Sequence, residues 1–122
     1  MLLDTQLLLW ALARPSKLSA AARRRIEAAE VFVSAASIWE IAVKSARGTL
    51  RADPREVVDA LEPAGFSLLS ISGEHAARIA ELPPLHADPF DRLLIAQALV
   101  EPMILLTNDV ALYGYGELVV IA

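Results

Sequence analysis

The feature that most constrains this chain is an alternation between short apolar runs and longer segments in which apolar residues recur at helical spacing. Five runs are predicted as strands, at residues 1–3, 31–33, 66–71, 103–106 and 118–121. Six segments are predicted as helices, at residues 7–13, 20–29, 35–47, 55–62, 73–82 and 89–100. Because such an alternation forms a mostly parallel sheet covered on both faces, we expect a three-layer α/β/α fold with four or five strands.

Length and composition narrow the class of protein. A chain of 122 residues fits one domain, residues 1–122, and 56% hydrophobic residues exclude disorder. The absence of cysteine excludes a disulfide scaffold and a thiolate metal site, and it fits a cytoplasmic protein. No apolar run reaches the roughly 20 residues of a membrane span, so no membrane is expected. The excess of apolar residues indicates a protein partner or a homodimer.

Four acidic residues fall where open α/β sheets bind ligands, near the carboxyl ends of strands. Asp4 ends the first predicted strand and Asp109 follows the fourth. Glu40 lies in the helix after the second strand, and Asp91 lies in the first turn of helix 89–100. Carboxylates among apolar neighbours need a positive partner. Because the chain has no cysteine and only two histidines, that partner is expected to be a hard cation such as Mg²⁺ or Mn²⁺.

Each acid also has an ordinary structural explanation. Asp4 and Asp109 are typical of turns, and a carboxylate such as Asp91 is favoured at a helix start. Glu40 can pair with Lys44 one helical turn away on an exposed face. The pattern of residues leaves both explanations open. The two histidines, at positions 75 and 86, are assigned to surface or loop positions.

Four segments resemble the PIN-domain family, and most closely the VapC toxins of bacterial toxin–antitoxin pairs. They span nearly the whole chain and lie at residues 2–5 (Leu-Leu-Asp-Thr), 34–44, 88–98 and 106–109 (Leu-Thr-Asn-Asp). The four acidic positions of the family fall on Asp4, Glu40, Asp91 and Asp109. Asp88 competes for the third position, but the Leu-Leu-Ile-Ala-Gln-Ala stretch at 93–98 favours Asp91.

The resemblance implies a Mg²⁺-dependent endoribonuclease, with Mn²⁺ as a possible substitute, that a VapB-type antitoxin inhibits. In this interpretation the four acids are catalytic and hold the metal. Thr5 and Thr107 would hydrogen-bond to neighbouring carboxylates, and Lys44 and Arg92 would contact RNA.

The net charge of the chain is compatible with this interpretation, whereas three arginines and two tryptophans are assigned structural roles. Removing the four site acids from the net charge of −4 leaves a remainder of about zero, so RNA binding is compatible with the acidic chain. The three arginines at 23–25 are interpreted as a solvated helix face. Trp10 and Trp39 are interpreted as core or interface residues.

Two further functions compete with the toxin. One is a catalytically silent PIN fold that binds proteins, and the other is an RNA-processing PIN nuclease outside a toxin–antitoxin pair. The presence of all four acids disfavours the silent fold. A receiver-type or haloacid-type phosphoryl-transfer domain would need a second acid beside Asp4, and the sequence there is Asp4-Thr5-Gln6.

Overall fold

Five strands form one sheet, and every neighbouring pair is parallel. The computed structural model describes residues 1–122. The strands are β1 (Leu2–Leu3), β2 (Val31–Ser34), β3 (Phe66–Leu69), β4 (Leu105–Thr107) and β5 (Val119–Ile121). Their order in the sheet is β3-β2-β1-β4-β5. Leu2 pairs with Phe32 on one side and with Leu105 on the other, so β1 is the central strand. The predicted α/β fold is confirmed, and the sheet is parallel throughout.

Six α-helices connect and cover these strands. They are α1 (Thr5–Ala13), α2 (Ala20–Ala28), α3 (Ala35–Ala46), α4 (Pro54–Leu61), α5 (Gly73–Arg78) and α6 (Pro89–Val100). Each of the six helices begins after a Ser or Asp whose side chain accepts a backbone N–H of the first turn, namely Asp4, Ser19, Ser34, Asp53, Ser72 and Asp88. None of the helices combines the length and apolar character that crossing a membrane requires.

The core lies on both faces of the sheet, because successive strand residues point in opposite directions. Leu2 belongs to a cluster with residues of α6 and β5, while Leu3 belongs to a cluster with residues of α1 and α2. A third cluster joins α1, α3 and α4. This two-sided burial holds the carboxyl edge of β1 and β4 rigidly between helices.

Several predicted boundaries are wrong, and each has a local cause. Helix α1 begins at Thr5 rather than at residue 7, because Asp4 caps it. Helix α5 ends at Arg78 and continues as a 3₁₀ turn at Ile79–Glu81, ahead of the two prolines at 83–84. Strand β4 begins two residues later than predicted and includes Thr107, although the sequence at 107–109, Thr-Asn-Asp, predicts a turn. A 3₁₀ helix at Val110–Tyr115 was not predicted.

Two predictions about burial are also wrong. The apolar residues of the predicted helix 55–62 place Val57, Val58 and Leu61 inward, but Val58 is 41% exposed. The sequence predicts a surface or loop position for His75, but this residue lies in α5 and is 2% exposed. Its ring nitrogens contact the Ser72 N–H at 2.9 Å and Glu101 Oε2 at 2.5 Å. A histidine with both nitrogens engaged can be buried without an unsatisfied polar atom.

Candidate active site

Asp4 is fixed at the carboxyl end of β1 by two hydrogen bonds. Its Oδ1 accepts the Leu7 N–H at 2.8 Å, and its Oδ2 accepts the Thr107 hydroxyl from β4. The backbone N–H of Asn108 lies near this carboxylate and favours its charged form. The side chain is buried, and burial raises the pKa of Asp4 although these three groups oppose that rise. Asp4 therefore caps α1 and still presents a costly buried charge.

Glu40 is buried on α3 and bonded on both oxygens. The Thr5 hydroxyl donates to Oε1 at 2.6 Å, and Lys44 Nζ donates to Oε2 at 2.5 Å. The bond to Glu40 raises the pKa of Lys44. The ion pair between Glu40 and Lys44, which their helical spacing allows, is present. Glu40 is only 6% exposed, however, so the pair does not lie on a solvated helix face.

Asp91 lies in the first turn of α6, where burial and, next in size, the charge of Asp88 raise its pKa to about 6. Asp88 itself is the N-cap of α6, and its Oδ1 accepts the N–H groups of Phe90 at 2.8 Å and Asp91 at 3.1 Å. Capping thus occupies the side chain that competed with Asp91 for the third acidic position. Asp109 caps the 3₁₀ helix after β4 through a 3.0 Å bond from the Ala111 N–H.

His86 joins this group, although the sequence did not indicate it. Its Nε2 lies 2.9 Å from Asp91 Oδ2. Single ligand atoms of His86, Asp91 and Asp109 all lie within 4.8 Å of one another. The sequence signal that could have identified His86 is its short distance along the chain from Asp91. Because Asp88 caps α6 between them, the loop that carries His86 lies over the first turn of the helix.

All four predicted acids line one cleft of about 290 Å³ at the carboxyl edge of the sheet. Thr5, Lys44 and Asn108 line it as well. We call Asp4 and Glu40 the buried side of the cleft. Asp91 and Asp109, together with His86, which contacts Asp91 from just outside the cleft lining, form the open side. The predicted bonds from Thr5 and Thr107 to carboxylates are both present.

The two basic residues that were expected to contact RNA differ in position. Lys44 borders the acidic cleft, and 43% of its side chain is exposed. Arg92 instead donates to the carbonyl oxygens of Ile79 and Pro83 and to the Tyr115 hydroxyl, at 3.2, 3.0 and 3.2 Å. Its guanidinium therefore has a structural role, because these bonds connect the segment before α6 to the 3₁₀ helix at Val110–Tyr115.

The donor atoms of the cleft fit a divalent cation. Burial and neighbouring negative charge raise the pKa of both Asp4 and Asp91, so a positive ion between the carboxylates would relieve both effects. The sole lysine lining the cleft is Lys44, which already pairs with Glu40. The available ligand atoms are carboxylate oxygens and, beside Asp91, the imidazole nitrogen of His86.

The sequence matches the PIN domain family over residues 1–118. The chain belongs to the PIN domain family. This PIN domain is similar to a chain of a toxin–antitoxin complex from Klebsiella pneumoniae, with a TM-score of 0.68 and 20% identity over 98% of this chain and 94% of that chain. It is also similar to a chain in the crystal structure of VapBC2 from Rickettsia felis bound to a DNA fragment from their promoter, with a TM-score of 0.71 and 14% identity over 99% of this chain and 96% of that chain. No curated protein matches the chain.

Proposed function

We propose that this PIN domain is a divalent-metal-dependent endoribonuclease and the toxin of a toxin–antitoxin pair. The observation that carries the proposal is the convergence of Asp4, Glu40, Asp91 and Asp109 on one cleft, with the pKa of Asp91 raised to about 6. Family membership supports a nuclease. The similar structure from Klebsiella pneumoniae is a toxin–antitoxin complex, and this favours the toxin over other PIN nucleases.

In the proposed reaction Asp4, Asp91 and Asp109 would hold the cation, and Glu40 would support it from the α3 side. A bound Mg²⁺ or Mn²⁺ would polarise the scissile phosphate and acidify a water molecule. Thr5 and Thr107 keep Glu40 and Asp4 in one orientation, so the carboxylates need not reorganise when RNA binds. Lys44 lies where it can bind a phosphate oxygen at the rim of the cleft.

The experiment compares cleavage of a labelled RNA, in EDTA and in millimolar Mg²⁺ or Mn²⁺, by the wild type and by Asp91→Asn. Asp59→Asn is the matched control, because it is the same substitution at an exposed position of α4. We expect cleavage only with metal, loss of cleavage in Asp91→Asn, and wild-type rates in Asp59→Asn. Metal-independent cleavage, or no cleavage of any RNA, would contradict the proposal and favour the silent fold that binds proteins. A DNA substrate of the same sequence tests the preference for RNA.

The antitoxin is proposed to occupy a groove of about 590 Å³ between α1 and α4. Trp10 lines this groove, while Gln6, Leu9 and Leu50 line both the groove and the acidic cleft. An apolar segment of the antitoxin in the groove could therefore extend a basic side chain to the acids. Co-expression with the product of the adjoining reading frame tests this. A complex that cleaves RNA as fast as the free chain would contradict inhibition, whereas the absence of any complex would favour a processing nuclease.

A homodimer is proposed from the exposed apolar residues beside the open side. Val110 and Tyr113 are 74% and 71% exposed in the 3₁₀ helix after Asp109, and Leu85, which is 56% exposed, lies near Gly114 of the same helix. Such a patch is typical of an interface. Light scattering at tens of micromolar should give the dimer mass, and Val110→Ser combined with Tyr113→Ser should give the monomer. A wild type that is monomeric at that concentration would contradict the proposal.

A further inference from the structure

We propose that His86 is a direct metal ligand of this PIN domain, and that its imidazole makes the site prefer a first-row transition cation such as Mn²⁺ over Mg²⁺. This inference rests on the proposed function, since it names which cation the same site takes and which residue decides the choice.

The first support is the geometry of the open side. His86 Nε2 lies 2.9 Å from Asp91 Oδ2, and it forms with Asp91 and Asp109 a set of ligand atoms within 4.8 Å of one another. Two ligands of one octahedral cation, each at about 2.1 Å, lie about 3 Å apart when adjacent and about 4.2 Å apart when opposite. The three atoms therefore need to move little to share an ion.

The second support is the way in which the loop carrying His86 is held. Arg92 donates to the carbonyl oxygen of His86 at 3.4 Å and to that of Pro83 at 3.0 Å, and its other nitrogen donates to Ile79 O at 3.2 Å. The same guanidinium donates to the Tyr115 hydroxyl, in the 3₁₀ helix that Asp109 begins. Arg92 is thus a positioning residue, which fixes the His86 backbone relative to Asp91 and Asp109.

The third support is the chemistry of the ligand. Mg²⁺ prefers oxygen ligands and keeps much of its water, whereas imidazole nitrogen binds first-row transition cations more strongly. A site of carboxylates alone would give little discrimination beyond the ordinary affinity order. Coordination through Nε2 places the remaining proton of the neutral ring on Nδ1 and replaces the hydrogen bond to Asp91.

The second histidine provides an internal control. His75 is 2% exposed, its Nδ1 accepts the Ser72 N–H, and its Nε2 contacts Glu101. Neither nitrogen faces the acidic cleft, and the chain contains no other histidine. Any imidazole signal from a cation in the cleft must therefore come from His86.

The test uses the metal alone, without RNA. Pulsed electron paramagnetic resonance of the full chain loaded with Mn²⁺ should show coupling to a ¹⁴N nucleus. Labelling with ¹⁵N-histidine should convert that signal to ¹⁵N, a test that needs no variant. His86→Asn should lose the coupling. Competition by Mg²⁺ should show that the ratio of Mn²⁺ to Mg²⁺ affinity falls about tenfold in this variant.

Each contrary outcome has a separate meaning. Mn²⁺ binding without nitrogen coupling overturns the role of His86 but leaves the metal-dependent nuclease intact. The same holds if His86→Asn weakens Mn²⁺ and Mg²⁺ by the same factor, because a merely structural role of the Asp91 contact would give that result. If no Mn²⁺ binds at all, the inference and the proposed function both fail.

Discussion

The two sides of the acidic cleft are built in different ways. On the buried side, Asp4 and Glu40 are each 6% exposed, and each is bonded to a threonine hydroxyl from a neighbouring element. On the open side, Asp91 and Asp109 are half-buried, and their partner His86 comes from a loop that Arg92 holds. Folding therefore fixes the carboxylates of the buried side before a ligand binds, whereas the more exposed side chains of the open side can adjust to a ligand.

The largest effect is expected from removing the charge at the centre of the buried side. Asp4→Asn should lower RNA cleavage at least about a hundredfold, the upper end of what loss of an outer partner of a ligand causes. Asn retains Oδ1 as the acceptor for the Leu7 N–H, so α1 should still form. In EDTA the melting temperature should rise, because the buried charge is gone. Unchanged cleavage, or unfolding at 25 °C by circular dichroism, would contradict this assignment.

A smaller loss is expected when the carboxylate stays and its support is removed. Thr107→Val deletes the hydroxyl that donates to Asp4 Oδ2 at nearly constant volume. Cleavage should fall about 10-fold to 100-fold, and the free energy of unfolding should fall by about 1–3 kcal/mol because a buried acceptor loses its partner. Thr49→Val is the matched control, since the Thr49 hydroxyl bonds the Lys44 carbonyl at an exposed position. Equal losses in both variants would show that threonine in general, rather than this contact, matters.

In the absence of metal, Asp91 on the open side should make the free energy of unfolding depend on pH. The pKa of Asp91 is raised to about 6, so the folded chain binds the proton more tightly than the unfolded chain does. The stabilisation from protonated Asp91 is therefore present below about pH 4 and is lost as pH rises through 6. With solvent screening, the loss should be about 1–2 kcal/mol. Thermal unfolding in EDTA should show a larger loss of stability with rising pH in the wild type than in Asp91→Asn, which keeps only the contribution of Asp4. Parallel pH profiles would contradict the raised pKa.

The smallest effect is expected at the rim. Lys44→Gln should weaken RNA binding a few-fold and reduce the slope of log affinity against log salt by about one. Arg24→Gln, on the exposed face of α2, should leave that slope unchanged. If the two variants exchange these results, the arginines at 23–25 rather than Lys44 bind the phosphates. Fluorescence anisotropy with a labelled RNA at several salt concentrations measures both.

The sequence was most informative where local patterns decide the structure. The alternation of strands and helices predicted the fold, and helices α2, α3 and α6 begin at their predicted first residues, 20, 35 and 89. The positions of Asp4, Glu40, Asp91 and Asp109 around one cleft follow from the parallel sheet, because its carboxyl ends share one edge. Their proposed roles as metal ligands stay predictions.

What the sequence could not reveal depends on contacts between distant residues. The buried state of His75 needs Glu101, which lies on the far end of another helix, and no periodic pattern marks that pair. Arg92 was interpreted from its neighbour Asp91, but its bonds are decided by the loop that folds back over α6. His86 was missed for the same reason, since its closeness to Asp109 exists only in three dimensions.

The central claim is that both sides of the cleft hold one cation, and a double-mutant cycle of Mn²⁺ affinity tests it most directly. Calorimetric titration would compare the wild type, Asp4→Asn, Asp91→Asn and the double variant. If both sides share the ion, each single variant should lose most of the affinity, and the double variant should lose little more. If Asp4→Asn binds Mn²⁺ as tightly as the wild type does, the open side binds the ion alone and the claim is wrong.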